Sequence, residues 1–300
     1  MNLISQSEAD MYLSCEKKHW YAFGEPITDD EGKASHGISP TGHSDSLTRG
    51  NIGHAFLDNL YQEVMDGNSW TSAYSTAASS HFIRLAEEPE LAGLYNQISE
   101  LMAQYAVRYV DDFDEWEPYA IEHEFRYAIP DTDLTFPFKP DAVMKHRPTG
   151  KMYVWDHKFL YNQYPAKTLS IMPQMPKYVK ALRLLGFPIE GALYNQILTR
   201  PNSKTPFARV AIQLIDAKLD QFWQEQVSAM QRIAMLKTLP SEVWSDSALR
   251  AASSFNCQNC QFLDICTLDL TKAGGRSIHL RQFYVPNKYG YGKGEEVDVV

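Results

Sequence analysis

Two apolar runs joined by a Pro-Gly turn constrain this chain more than any other feature. Residues 138–158 read FKPDAVMKHRPTGKMYVWDHK, with His146-Arg147-Pro148-Thr149-Gly150 between runs rich in Val, Met, Tyr and Trp. Proline and glycine between β-type runs is hairpin chemistry. Side chains alternate across a strand, so Met152, Val154, Asp156 and Lys158 share one face and Tyr153, Trp155, His157 and Phe159 the other. A carboxylate and an ammonium therefore emerge side by side at the end of an otherwise apolar strand. Asp141, on the partner strand, is placed to converge on them. Carboxylates and water are the ligands that Mg²⁺ or Mn²⁺ prefers, and a lysine beside them can act on a charged oxygen or a nucleophilic water. A strand-end salt bridge, with Asp141 in a turn, explains the isolated fragment as well.

The rest of the chain supplies an α/β setting. Residues 5–23 read as a short helix carrying Cys15, and the Gly-, Ser-, Asp- and His-rich residues 28–46 as an exposed loop. A helix follows from Ser46, with Ile52, Phe56, Leu60 and Val64 as its buried stripe; residues 70–115 continue mostly helical, with Leu94, Ile98, Leu101 and Tyr105 as another stripe. Residues 119–129 read as a strand ahead of the hairpin. Residues 172–185 are expected to be helical, 191–198 and 207–214 to be strands, and 218 to about 236 to be helical. The sum is an α/β core with a helical insertion between its first helix and its sheet.

Three hundred residues are enough for a substantial core. No apolar run approaches the length of a transmembrane helix, and the N-terminus lacks the basic start and apolar core of a secretory signal. The expected location is the cytoplasm, and no membrane partner is expected. A net charge of −9 argues against loose coating of nucleic acid. It leaves room for a nucleic-acid enzyme, whose acidic metal site adds negative charge and whose basic contacts are local.

Cys257, Cys260 and Cys266 form C-x2-C-x5-C, and Cys15 lies alone near the other end. In a cytosolic chain this spacing favours a metal over disulfides. Four thiolates make a complete set for tetrahedral zinc or for an iron–sulfur cluster, which would clasp the two ends of the chain. An unrelated buried Cys15 thiol is the competing reading.

Further groups belong with the hairpin. Arg49-Gly50-Asn51-Ile52-Gly53-His54 opens a helix; His54 points away from the Ile52/Phe56 stripe, and Gly50 and Gly53 leave room for close backbone approach. Gln174 and Tyr178, four apart, share a helical face. Glu122 and Glu124 share a face of the preceding strand and are placed to flank the site. Each has an ordinary surface or core reading when taken alone.

In order along the chain stand Tyr12-Leu13-Ser14-Cys15, G-x-x-G-H ending at His54, Asp141, Asp156-His157-Lys158, Gln174-x3-Tyr178 and C-x2-C-x5-C. This pattern resembles the RecB/AddB-type branch of the PD-(D/E)XK nuclease superfamily. More narrowly, it is similar to the iron–sulfur exonucleases related to the CRISPR-associated RecB-like nucleases and their phage counterparts. The resemblance spans Ser5 to Cys266. It implies a restriction-endonuclease-like core, a mixed central sheet flanked by helices, forming a single domain over residues 1–275. The helical insertion would cover about 66–115, and an iron–sulfur region built from Cys15 and residues 255–267 would clasp the N-terminal helix. Residues 276–300 are expected to be an extended tail.

The resemblance also implies roles. Cys15, Cys257, Cys260 and Cys266 would hold a [4Fe-4S] cluster. His54, Asp141, Asp156 and the His157 carbonyl would hold Mg²⁺ or Mn²⁺, Lys158 would orient water or stabilise phosphate charge, and Gln174 and Tyr178 would hold DNA or brace the site. Pro173 and Pro176 flank Gln174, so its helix is expected to begin at or after it. Trp20, Tyr21 and Trp155 are candidate stacking residues. The implied activity is exonucleolytic hydrolysis of DNA, single strands or ends, in a bacterial or phage-infected cell, with recombination or replication proteins as candidate partners. The alternative is a non-catalytic DNA-end-binding subunit of a recombination or spacer-acquisition complex.

Overall fold

The hairpin forms as the alternation requires. In the computed structural model, which describes residues 2–29, 32–42, 44–212, 214–272 and 274–287, strands Ala142–His146 and Met152–Leu160 pair antiparallel, with Ala142 opposite Trp155 and Lys145 opposite Met152. The turn is closed by the His146 and Gly150 amides, which donate to the Lys151 and His146 carbonyls, each at 2.8 Å, with Gly150 at φ 69°. Only a residue without a Cβ adopts that conformation cheaply.

Met152–Leu160 is the middle strand of a five-stranded mixed sheet. On one side Ile189–Leu198 runs parallel to it, with Tyr194, Asn195 and Gln196 beside Asp156, His157 and Lys158; Phe207–Ile212 then pairs antiparallel at the edge. On the other side Trp116–Ile121 pairs antiparallel with the first hairpin strand. The parallel pair needs a crossover, which helix Gln174–Leu184 provides. That helix starts at Gln174, directly after Pro173, in line with the prolines.

Helix Asp45–Met65 covers the Trp155/His157 face; the Tyr61 ring meets both side chains. Ser44 starts it by accepting the Leu47 N–H at 3.2 Å, a cap worth about 1 kcal/mol. Ile52, Phe56 and Leu60 are buried and Val64 partly so. Helices Trp70–Glu87, Ala92–Arg108 and Asp112–Glu115 occupy the expected insertion, and the first two pack on the Asp45–Met65 helix through Ala73, Ala77, Ile98, Met102 and Tyr105. The result is a mixed α/β fold consistent with a restriction-endonuclease-like nuclease.

Contacts divide the chain into two compact units: residues 44–127 with 137–225, which hold this sheet, and residues 1–43, 128–136 and 226–300. None of the four boundaries between their segments falls at residue 275. Helix Asp216–Lys237 carries the chain from one unit into the other.

Four expectations change. The helix expected over 5–23 is two helices, Gln6–Ser14 and Glu16–Phe23, with Cys15 extended between them. The Lys17 amide donates to the Leu249 carbonyl and the Leu249 amide to the Glu16 carboxylate, both at 3.0 Å, so long-range bonds replace a helical turn. The expected strand over 119–129 is broken into Trp116–Ile121 and Phe125–Ala128 by Glu122, at φ 47°. The expected loop over 28–46 contributes Ala34–His36, paired with Pro26–Thr28, and Ile38–Pro40, paired with Tyr284–Pro286. The expected extended tail instead begins with helix Arg276–Phe283 and that closing strand. It is anchored by stacking of Tyr284 on Phe262 and by the Asn287 side chain, which donates to the Ala22 carbonyl at 2.6 Å. Residues 288–300 of the expected tail lie outside the described residues.

Candidate active site

The two sequence-predicted aspartates converge because the hairpin brings them to the same end of the sheet. The Asp141 Oδ2 atom accepts the His157 backbone N–H at 2.6 Å, and His54 Nδ1 stands 3.6 Å from the same oxygen. The Lys158 Nζ atom lies 3.0 Å from Asp156 Oδ1 and 2.9 Å from Oδ2, and donates at 3.0 Å to Gln174 Oε1. The salt bridge that would explain the fragment alone is thus present, but as one part of a larger set. Tyr178, one turn beyond Gln174, is buried with its ring 5.4 Å from Phe138; it braces the helix from within.

Burial sets the protonation states. It pushes the carboxyls of Asp141 and Asp156 up to about 7, with Lys158 pulling both the other way. Two buried carboxylates share one ammonium, an imbalance that a divalent cation corrects. Burial also lowers the pKa of His54, leaving the neutral imidazole that ligates metals. Buried carboxylates, a neutral imidazole and a backbone carbonyl are a fitting donor set for Mg²⁺ or Mn²⁺.

His157 has two jobs on two faces. Its backbone lies between the aspartates, while its ring is buried behind the sheet and held neutral by burial. The ring Nδ1 accepts from Asn195 Nδ2 at 2.8 Å, and that amide also donates to Tyr105 Oη at 2.8 Å. Tyr105 bonds Tyr61 at 2.8 Å and accepts from Arg209, whose guanidinium pairs with Asp112. No motif or spacing marks this network, so it gives no signal in the sequence.

Two carboxylates beside His54 complete the site. Glu122 turns back at its positive φ, and its amide donates to the Asp141 carbonyl at 3.0 Å. Its carboxylate pairs with Lys139. Asp58 follows His54 by one turn, a spacing that places both on one helix face and could have flagged it. Ligand atoms of His54, Asp58 and Glu122 all lie within 4.8 Å of one another. Burial, with Glu122 and Asp141 adding, raises the Asp58 carboxyl to about 8. Glu124, expected alongside Glu122, instead pairs with Arg126 on the surface. Gly53 meets its expectation, since a Cβ there would collide with the Phe159 ring; Gly50 faces open space.

The aromatic residues expected to stack on DNA do not reach it. Trp20, Tyr21 and Trp155 are 4%, 1% and 0% exposed, and all three are core.

The four cysteines belong to the other unit, where all are free and half-buried. Cys257 ends the short helix Ser254–Cys257 and Cys266 lies in helix Leu263–Thr271. The Arg250 Nε atom donates to Cys266 Sγ at 3.4 Å, and burial pushes the Cys260 thiol up, with Cys15 and Cys257 adding to it.

Paired strand carboxylates, a following lysine and a helix-borne histidine define a class of metal-assisted hydrolytic centre. The sequence profile of the PD-(D/E)XK nuclease superfamily matches residues 3–267, and the chain belongs to that superfamily. Among solved structures, a candidate exonuclease from Eubacterium rectale is 12% identical, with 78% of this chain and 81% of that one covered at a TM-score of 0.43. The protein SSO0001 is 17% identical, with 62% and 80% covered at 0.31. No curated protein matches the chain. No helix among the described residues is long and apolar enough to cross a membrane.

Proposed function

We propose that this nuclease is a Mg²⁺- or Mn²⁺-dependent deoxyribonuclease that acts as an exonuclease on single-stranded DNA or DNA ends. The observation that carries the reading is the meeting of His54, Asp141 and the Asp156–Lys158–Gln174 chain at one end of the sheet. His54, Asp141, Asp156 and the His157 carbonyl would hold the ion, which supplies an activated water and charge against the phosphate. Lys158, fixed between Asp156 and Gln174, places its ammonium where negative charge develops, in a partly buried setting that strengthens it. The Asp141 carboxylate is oriented by the His157 amide, and His54 stays unprotonated. A complete set of these groups favours turnover over a purely DNA-binding subunit.

In the other unit we assign Cys15, Cys257, Cys260 and Cys266 to a structural [4Fe-4S] cluster. Anaerobically purified protein should be brown, with broad absorbance near roughly 400 nm; a colourless zinc protein would overturn this assignment.

The decisive assay incubates end-labelled single- and double-stranded DNA with Mg²⁺ or Mn²⁺, using wild type, Asp141→Ala and Lys158→Ala. Each substitution should lower kcat by about 10²–10³ or more. Equal degradation by all three would defeat the site.

A further inference from the structure

Immediately beyond the catalytic lysine, the central strand runs out into an exposed segment, residues 161–168. It displays two aromatic rings: Tyr161 is 62% exposed and Tyr164 40%. Exposed aromatics by themselves say little. What distinguishes Tyr164 is how its backbone is held. Gln196 is fully buried and spends both ends of its amide on one residue: Oε1 accepts the Tyr164 N–H at 2.7 Å, and Nε2 donates to the Tyr164 carbonyl at 3.3 Å. Gln196 is also the cross-strand neighbour of Lys158, so its backbone lies about 4.8 Å from that of the lysine. A buried side chain is thus dedicated to fixing an exposed tyrosine beside the reaction centre.

Charge points to the occupant. In a chain of net charge −9, residues 157–188 contain no Asp or Glu and five cations: Lys158, Lys167, Lys177, Lys180 and Arg183. Asp220 and Asp216 neutralise Lys180 and Arg183. Lys167, three residues from Tyr164, is exposed. Rigid aromatic rings next to local positive charge form a stacking platform for unpaired bases, tolerant of sequence because every base has a π-face. A duplex keeps its base faces covered and gains nothing from such rings.

We infer that Tyr161 and Tyr164 are the stacking post that grips an unpaired DNA strand as it enters the cleavage centre. This rests on the nuclease reading and names the part of the surface that would select single strands. The test uses (dT)20, and an equally long oligomer of abasic residues, with the full-length protein. Binding is measured in EDTA and cleavage in Mn²⁺. Tyr161→Ala/Tyr164→Ala should weaken (dT)20 binding and raise its KM by about tenfold, within the range for one or two lost base–aromatic stacks, with kcat unchanged. The abasic oligomer should bind wild type as weakly as (dT)20 binds the double variant, and Tyr161→Phe/Tyr164→Phe should behave as wild type. Quenching of Tyr164→Trp fluorescence by (dT)20 but not by the abasic oligomer would confirm contact with bases. Wild-type affinity in the double Ala variant, or equal wild-type affinity for the two oligomers, would overturn the inference. A wild type that binds (dT)20 through these tyrosines but never cleaves would sink the nuclease reading alone.

Discussion

The two faces of the central strand are built from alternating residues yet obey opposite rules. On one face Asp156 and Lys158 are polar, bonded to each other and to Gln174, and make up part of the proposed reaction centre. On the other, Trp155 and His157 are buried beneath the Asp45–Met65 helix, and His157 joins a network that runs through Asn195. The faces meet in the backbone and at His54, whose ring lies 6.3 Å from that of His157. The His157 amide that holds Asp141 belongs to the same residue whose ring is tied to Asn195. A centre that must hold two carboxylates close together gains from a strand that cannot slide, and the buried face supplies that rigidity.

The sharpest way to break this comparison is at Asn195. Replacing it with Leu removes one amide that serves both His157 and Tyr105; Tyr105 keeps Tyr61 and Arg209, while the buried His157 Nδ1 loses this bond. The expected cost is about 1–3 kcal/mol of stability, read from chemical denaturation. If the faces are coupled, Asn195→Leu should also raise the Mn²⁺ concentration needed for half-maximal activity while leaving kcat at saturating metal close to wild type. An unchanged metal requirement would make the buried face a matter of stability alone.

Periodicity made the chemical face legible. Alternation placed Asp156 and Lys158 together, and the Ile52/Phe56 stripe pointed His54 away from the core; both follow from local geometry, which a sequence carries directly. Asp58 and Glu122 were harder for different reasons. A carboxylate one turn along a helix is commonplace until something faces it. Glu122 is aimed by a positive φ that no residue type announces there. The exposed tyrosines were missed because exposure depends on long-range packing: Trp20, Tyr21 and Trp155 have the same chemistry and fill the cores instead. The short strand Ile38–Pro40 and the helix at 276–283 pair or pack with distant segments, so local pattern holds no record of them.

A smaller effect tests whether the chemical face is held at a cost to stability. Burial raises the Asp156 carboxyl to about 7 from an ordinary value near 3.8. Between those values the folded chain binds a proton that the unfolded chain has released. Metal-free stability from this group is therefore fully present below about pH 4 and is lost as pH rises through 7. Asp141, raised likewise, acts in the same direction. Asp156→Asn keeps the shape and removes the charge, so in EDTA it should be more stable than wild type by about 1 kcal/mol or more at pH 8, with almost no difference at pH 4. Thermal unfolding at the two pH values measures it. Adding Mn²⁺ should reverse the order at pH 8, because only wild type keeps both carboxylates for the ion. If wild type in EDTA is as stable at pH 8 as at pH 4, the carboxylates are not in conflict without metal, and the two faces differ in chemistry but not in what they cost the fold.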